Sequence, residues 1–413
     1  MASTVDPNLA VLRFIGAMKL IVYTSLCLLL LLPHSSSSSM NGVQVKTIKK
    51  SEAGIVNPEA LVHFFEALDQ IKTGSRLEPV RIMHFGDSHV AADVLTRSIR
   101  ERLQSEFGDG GPGFIVPGNP MATRRARVNS GATDGWVVQG IGGNYSADRL
   151  YGPAGINLMT TVAGQRAWVE TACNHFEVFF VREPGGGSVE IQIDGSNELQ
   201  EPLSLSARTV KLDYLTFDLP DSGSHRLELR TLDSGKVRIL GIVAERIAPG
   251  VRYDVFGING AKAIRLLTWN GPAFNAALKA LAPDLIILAY GTNELTNSDW
   301  TRESCQSSYE EIIQRLRAAA PNSSILIVGP PDRTDVAVPV RLRVLTDSLR
   351  EVAFGTNTGF WSAYEAMGGS GSMNRWLGAG LAQADRVHLT SAGYNVMGLR
   401  FYRDLMEGMR DSR

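Results

Sequence analysis

The chain has 413 residues, 44% hydrophobic and 20% charged, with 41 Lys and Arg against 42 Asp and Glu for a formal net charge of -1. That is an ordinary globular balance, long enough for two domains, and it leaves no bulk positive charge to hold nucleic acid. The sequence contains no CxxC, HExxH or similar ligand cluster, so neither a metal nor another cofactor is expected.

The N-terminus carries an address. From Met18 the sequence MKLIVYTSLCLLLLLPHSSSSS has a lysine, an apolar run, a proline and small polar residues. This is the layout of a secretory signal whose apolar core is too short for a comfortable membrane span. Residues 1–40 are read as an N-terminal extension and signal peptide, which predicts a periplasmic or secreted protein of the cell envelope. An uncleaved segment, the alternative, would give membrane association through this stretch alone, since no A-x-A-like cleavage site is visible. Residues 1–17 lack signal character, which makes Met18 a second candidate start. Cys27 follows Leu26 and not the small residue that a lipoprotein signal wants, so no lipid anchor is expected. Cys173 and Cys305 remain; export would permit pairing, but no spacing places them together, and two buried free thiols are the preferred reading.

Along the chain, PEALVHFFEALDQIKTG sets Leu61, Phe64, Phe65, Leu68 and Ile71 on one helical face, with Gly74 as its stop. A strand, VRIMHF, follows and breaks at Gly86-Asp87-Ser88 into a second helical pattern carrying Val94, Leu95, Ile99, Leu103 and Phe107. From about Asn119 to Arg246 no helix is convincing. There HFEVFFV, GSVEIQID, RTVKLDYLTFDL, SHRLELRT and KVRILGIVAER alternate between Gly, Pro, Asp and Ser turns, the pattern of a β-sandwich. Beyond it, after VRYDVF, the stretches LAPDLIILAYGTNE, NSSILIVGPPD and DRVHLTSAGY each read as a short strand signal followed by a polar loop. The first two of these three are continuous apolar runs, as strands buried on both faces of a parallel sheet should be. Helical patterns such as SYEEIIQRLRAAA and VPVRLRVLTDSLREVAF separate them. The predicted fold class is α/β, a doubly wound parallel sheet with an inserted all-β domain: residues 50–118 and 248–413 form the α/β part and residues 119–247 the insertion.

In such sheets, sites lie at the carboxyl ends of the strands, and chemistry-bearing residues gather there. Ser88 sits in Gly-Asp-Ser-His, Gly260 in Phe-Gly-Ile-Asn-Gly-Ala, Asn293 in Tyr-Gly-Thr-Asn-Glu, and Asp385 with His388 in Asp-Arg-Val-His. Each has a plain structural reading: Ser88 as a helix N-cap, Asn293 as a turn residue, Asp385 as a loop residue, His388 as a prelude to the cap of the following helix. Together they supply what acyl transfer needs. A serine hydroxyl requires a base, histidine titrates in the working range, and an aspartate fixes the tautomer. The Ser88 and Gly260 N–H groups and the Asn293 amide are candidate oxyanion donors. Asp87 and His89 are assigned to shaping the site, His84 to the sheet, and Arg124, Arg125 and Arg127 to a solvated surface.

Gly-Asp-Ser, Asn-Gly-Ala, Gly-Thr-Asn and Asp-x-x-His, in this order, resemble the four blocks of the SGNH (GDSL-like) hydrolases. HFGDSH with FGDGGPGF, FGINGA, YGTNE, AMGGSGSM and DRVHLTSAGY resemble the bacterial peptidoglycan O-acetylesterase group within that superfamily. Glu294 departs from the wider superfamily, whose block usually has Asp there. The resemblance implies Ser88 as nucleophile, Asp385 and His388 as its partners, oxyanion donors at Ser88, Gly260 and Asn293, and a carbohydrate-binding-module-like insertion. It implies a serine carbohydrate esterase that removes O-acetyl groups from peptidoglycan through an acetyl-enzyme, with an O-acetylated polysaccharide as its partner. The alternatives are acetyl transfer to a sugar, an esterase for another envelope polysaccharide, and a non-catalytic glycan-binding protein.

Overall fold

A computed structural model describes residues 54–118, 120, 125–140, 144–296, 300–334 and 339–412. The predicted signal segment and Cys27 lie outside the described residues. Helix α1 (Val62–Thr73) buries Phe64, Phe65, Leu68 and Ile71 on one face. Gly74, in the left-handed region at φ 72°, donates its N–H back to the last-turn carbonyls and stops the helix. Strand β1 (Val80–Gly86) leads into the short helix α2 (Ser88–Ala91) and then α3 (Leu95–Phe107), which buries Ile99, Leu103 and Phe107.

The residues from 113 to 245 form two antiparallel sheets. Their strands are β2 (Gly113–Ile115), β3 (Asn129–Ala132), β4 (Val137–Gly140), β5 (Ile156–Thr160), β6 (Arg166–Ala172), β7 (His175–Arg182), β8 (Ser188–Ile193), β9 (Ser196–Asn197), β10 (Leu203–Ser204), β11 (Lys211–Asp218), β12 (Ser224–Thr231) and β13 (Val237–Glu245). One sheet runs β10-β8-β12-β6-β3, and the other β11-β7-β13-β5-β4 with β2 beside β13. Val169, Ile191, Leu227 and Leu229 of the first sheet and Phe176, Val178, Phe180 and Ile239 of the second share one apolar core.

Strands β7 and β13 of the second sheet are buried on both faces. Phe179, Val181, Leu240 and Val243 point the other way, into a core shared with Phe85, Phe256 and Phe274 of the α/β part. This explains why HFEVFFV and VRILGIVAER do not alternate cleanly: every residue of β13 is buried. SHRLELRT, in the outer sheet, alternates residue by residue as expected.

The chain then returns as β14 (Val251–Gly257), α4 (Gly271–Leu281), β15 (Leu285–Ala289), α5 (Arg302–Ala319), β16 (Ser324–Gly329), α6 (Pro339–Gly355), β17 (Gly359–Ser362), α7 (Ala363–Met367), α8 (Ser372–Gly378) and α9 (Ser391–Asp411). Strands β14-β1-β15-β16-β17 form a five-stranded sheet with every pairing parallel. Taken in chain order this is a 2-1-3-4-5 arrangement, so the order reverses beside β1 and opens a crevice at its carboxyl end.

Candidate active site

The registers Gly86↔Gly257 and Gly86↔Ala289 align the ends of the three adjacent strands β14, β1 and β15. Ser88, Gly260 and Asn293 each follow one of these ends by a few residues, so the sheet presents all three at one edge. Helix α2 can sit directly on the strand ends because both positions below it are glycine. A Cβ on Gly86 would stand 2.3 Å from a Val90 methyl, and one on Gly257 would stand 2.2 Å from the Ala91 nitrogen. The N-cap of α2 is Asp87, whose carboxylate accepts the His89 N–H at 3.0 Å. Ser88 is therefore not the cap of the bland reading, and its hydroxyl is free for another partner.

That partner is His388. Ser88 Oγ lies 2.9 Å from His388 Nε2, and His388 Nδ1 lies 2.7 Å from Asp385 Oδ2. The other Asp385 oxygen accepts the backbone N–H groups of Val387 and His388, each at 3.0 Å. Burial alone would raise the Asp385 pKa, but the His388 ring and these two N–H groups outweigh it and hold the carboxyl below its usual range. Asp385 thus stays ionised and fixes Nδ1 as the protonated nitrogen, leaving Nε2 to face the serine. The turn is clipped at its base, where Gln383 donates its N–H to the His388 carbonyl at 2.8 Å and its side-chain amide to Leu389 O at 2.9 Å. Thr390, accepting the Gly393 N–H, caps the helix that follows.

The donor side is built from two loops tied together. Asn293 Nδ2 donates to Ala261 O at 2.9 Å, and the Glu294 carboxylate accepts the Ala263 N–H at 2.7 Å. Gly260 sits at φ 73°, with open space where a Cβ would be, so nothing shields its backbone on that side. The Ser88 N–H lies in the first turn of α2, where no intrahelical carbonyl can reach it. A serine hydroxyl held on a correctly oriented imidazole can attack a carbonyl, and amide groups on the loops that follow β14 and β15 are the candidates to stabilise the resulting oxyanion.

Residues 228–396 match the GDSL-like lipase/acylhydrolase family. A solved peptidoglycan O-acetylesterase superposes with a TM-score of 0.73 and 28% identity, covering 86% of this chain and 99% of that one. This is a serine ester hydrolase, similar to the GDSL-like acylhydrolases. A family two carbohydrate esterase from Cellvibrio japonicus, at 13% identity over 72% of this chain and 98% of its own, superposes with a TM-score of only 0.29. No curated protein matches the sequence.

The structure corrects the sequence reading in places. DRVHLTSAGY holds no strand, only the isolated bridge of Leu389 to Ala382. FGDGGPGF lies away from the site: Asp109 bridges to Val251 and Gly108 packs on Pro249, at the amino end of β14 and so at the opposite end of the strand from Gly257. AMGGSGSM does lie on the site's side: Asp332, beyond the carboxyl end of β16, accepts the Ser372 hydroxyl at 3.2 Å and the Met373 N–H at 2.9 Å. Of the arginine cluster, Arg124 is outside the described residues and Arg127 is exposed, while Arg125 is buried and donates to Val255 O. Other supports of the site were missed. Arg333 donates to Thr292 O at 2.5 Å, and Tyr394 meets His89 Nδ1 at 2.9 Å, with the His89 ring centroid 5.3 Å from that of His388. Only the Pro-Pro-Asp-Arg run after a buried strand could have flagged the first. Cys173 and Cys305 are free, in separate cores, with burial pushing each thiol up to about 12.

Proposed function

We propose that the esterase removes O-acetyl groups from peptidoglycan in the cell envelope, with Ser88 as nucleophile, His388 as general base and acid, and Asp385 as its orienting partner. The observation that carries this reading is the hydrogen-bonded chain from Ser88 through His388 to Asp385, on a fold similar over nearly its whole length to a peptidoglycan O-acetylesterase. His388 Nε2 takes the Ser88 proton as Oγ attacks the acetyl carbonyl. The oxyanion is met by the Ser88 and Gly260 N–H groups and by Asn293. Collapse passes the proton from His388 to the departing sugar oxygen, leaving acetyl-Ser88. Water, deprotonated by the same imidazole, then releases acetate and restores the serine.

The paired antiparallel sheets, with Trp168, Glu170, Arg226 and Glu228 on β6 and β12 of the outer sheet, would hold polymer and carry no chemistry. Disrupting that face should harm turnover of polymer more than that of a small aryl acetate, because remote binding energy helps only the large substrate. Acetate release from O-acetylated peptidoglycan, acetylated xylan and long-chain esters tests the substrate. Fastest release from peptidoglycan is expected, and preference for xylan or for a long acyl chain would overturn the substrate while leaving the serine chemistry intact.

A further inference from the structure

Beside the bond from Ser88 to His388 runs a second bridge, one residue further along each segment. His89 follows Ser88 on α2, and Leu389 follows His388 just before α9. Between them stands the Tyr394 phenol, whose oxygen lies 2.9 Å from His89 Nδ1. The Leu389 N–H faces the same oxygen and opposes the rise in pKa that burial gives the phenol. His89 and Tyr394 are 6% and 5% exposed, and the His89 ring also lies against that of His388. Burial, with His388 and Arg333 beside it, lowers the His89 pKa from 6.5 against the pull of Asp87 and Asp385, so the ring is neutral near pH 7. Among the described residues the phenol proton meets no other acceptor, so Tyr394 donates and His89 Nδ1 accepts.

Asp385 orients the His388 ring, but both stand on one turn, so their bond cannot set where that turn lies relative to α2. The Thr334 N–H holds Arg386 O at 3.2 Å and ties the turn to the loop after β16, again not to α2. Tyr394 is fixed from outside the turn. It lies in the first turn of α9 with its N–H on Thr390 O at 2.9 Å, and the Thr390 N–H rests on Leu381 O at 3.0 Å. Gly393 allows this seat, since a Cβ there would collide with the Leu381 carbonyl. We propose that His89 and Tyr394 are positioning residues, whose buried hydrogen bond holds the His388 turn against the nucleophile helix and so sets the approach of Nε2 to Ser88 Oγ. Neither has to touch the ester. The inference rests on the Ser88, His388 and Asp385 assignment above and is independent of which sugar carries the acetyl group.

The test measures kcat and KM of the full chain on a small aryl acetate, together with thermal unfolding. Tyr394→Phe keeps the ring and removes the hydroxyl. Its kcat should fall about fivefold to tenfold while KM stays within about twofold. His89→Leu should fall as far, and the double variant no further than the worse single one, because both remove the same bond. His89→Asn keeps an acceptor where Nδ1 stands and drops Nε2, which bonds no protein group, so it should recover most of the loss. A lowered midpoint of unfolding with native kcat in Tyr394→Phe, or losses that add in the double variant and that Asn does not rescue, would overturn the positioning role while ester hydrolysis continues. If the native chain leaves the aryl acetate intact, or Ser88→Ala cleaves it as fast, the Ser88 assignment falls and takes this inference with it.

Discussion

Two charged clusters stand at opposite ends of the parallel sheet and make opposite uses of similar groups. At the carboxyl end, the His388 and Asp385 side chains are 34% and 45% exposed. At the other end Glu245, on β13, accepts Arg81 Nε of β1 at 2.9 Å and Arg252 of β14 at 3.0 Å, while Arg252 also reaches Asp254 at 3.0 Å. Glu245 and Arg252 are fully buried. Burial would raise the Glu245 pKa, but Arg252 and Arg81 more than reverse it and keep the carboxylate ionised. His388, which must exchange protons with Ser88 and meet substrate, is left partly open, while Asp385 beside it stays charged. A pair that never changes charge can be sealed, and this one joins the antiparallel sheets to the parallel one. Proximity of opposite charges therefore says little about role, whereas access to a proton acceptor says much.

The contrast can be broken most severely at Ser88. Ser88→Ala should lower kcat on the order of a millionfold. It should leave thermal unfolding unchanged, because the hydroxyl stands on a turn and fills no core; appreciable residual turnover would sink the nucleophile assignment. Glu245→Gln should do the reverse. With two arginines left short of a carboxylate, urea unfolding should show a loss of about 3–5 kcal/mol, with kcat of the folded fraction near native. A larger loss of kcat than of stability would mean that the two ends are coupled. Asn293→Ala should cost about 2.7–4 kcal/mol of barrier, read in kcat, while binding changes less. An effect confined to KM would remove Asn293 from the oxyanion site.

The smallest expected effect concerns His84, buried on β1 with Nδ1 2.7 Å from the Tyr253 hydroxyl. Burial lowers its pKa from 6.5 to about 3. Between those values the unfolded chain binds the extra proton and the folded one does not, so this contribution to stability is whole above pH 6.5 and is lost as pH falls. At pH 5 the loss should reach about 2 kcal/mol, and His84→Gln should flatten the slope in denaturant midpoints measured across that window.

What the sequence made legible follows from local periodicity. The faces of α1 and α3, the continuous apolar runs of β15 and β16, and the polar loops after them each report burial on one or both sides of a single element. What stayed hidden depended on partners distant in sequence. Arg125 reads as surface because its acceptor, Val255 O, is 130 residues away. The double burial of β7 and β13 depends on Phe85, Phe256 and Phe274, outside the segment itself. FGDGGPGF looks like any glycine turn, and only the bridge from Asp109 to Val251 shows at which end of the strand it packs.

One consequence concerns the order of events during folding. Ser88 and His388 are 300 residues apart, and the hydrogen bond between them is made only when the segment leading into α9 docks, a helix that packs against α3. The Asp385 turn is clipped by its own backbone, whereas the strand-to-helix turn at Ser88 leans on β15, where Ala289 O accepts the Asp87 N–H at 3.3 Å, and neither is a catalyst alone. Hydrolysis should therefore appear last in refolding, after secondary structure and after the antiparallel sheets close, so that ester cleavage serves as a clock for the final docking step.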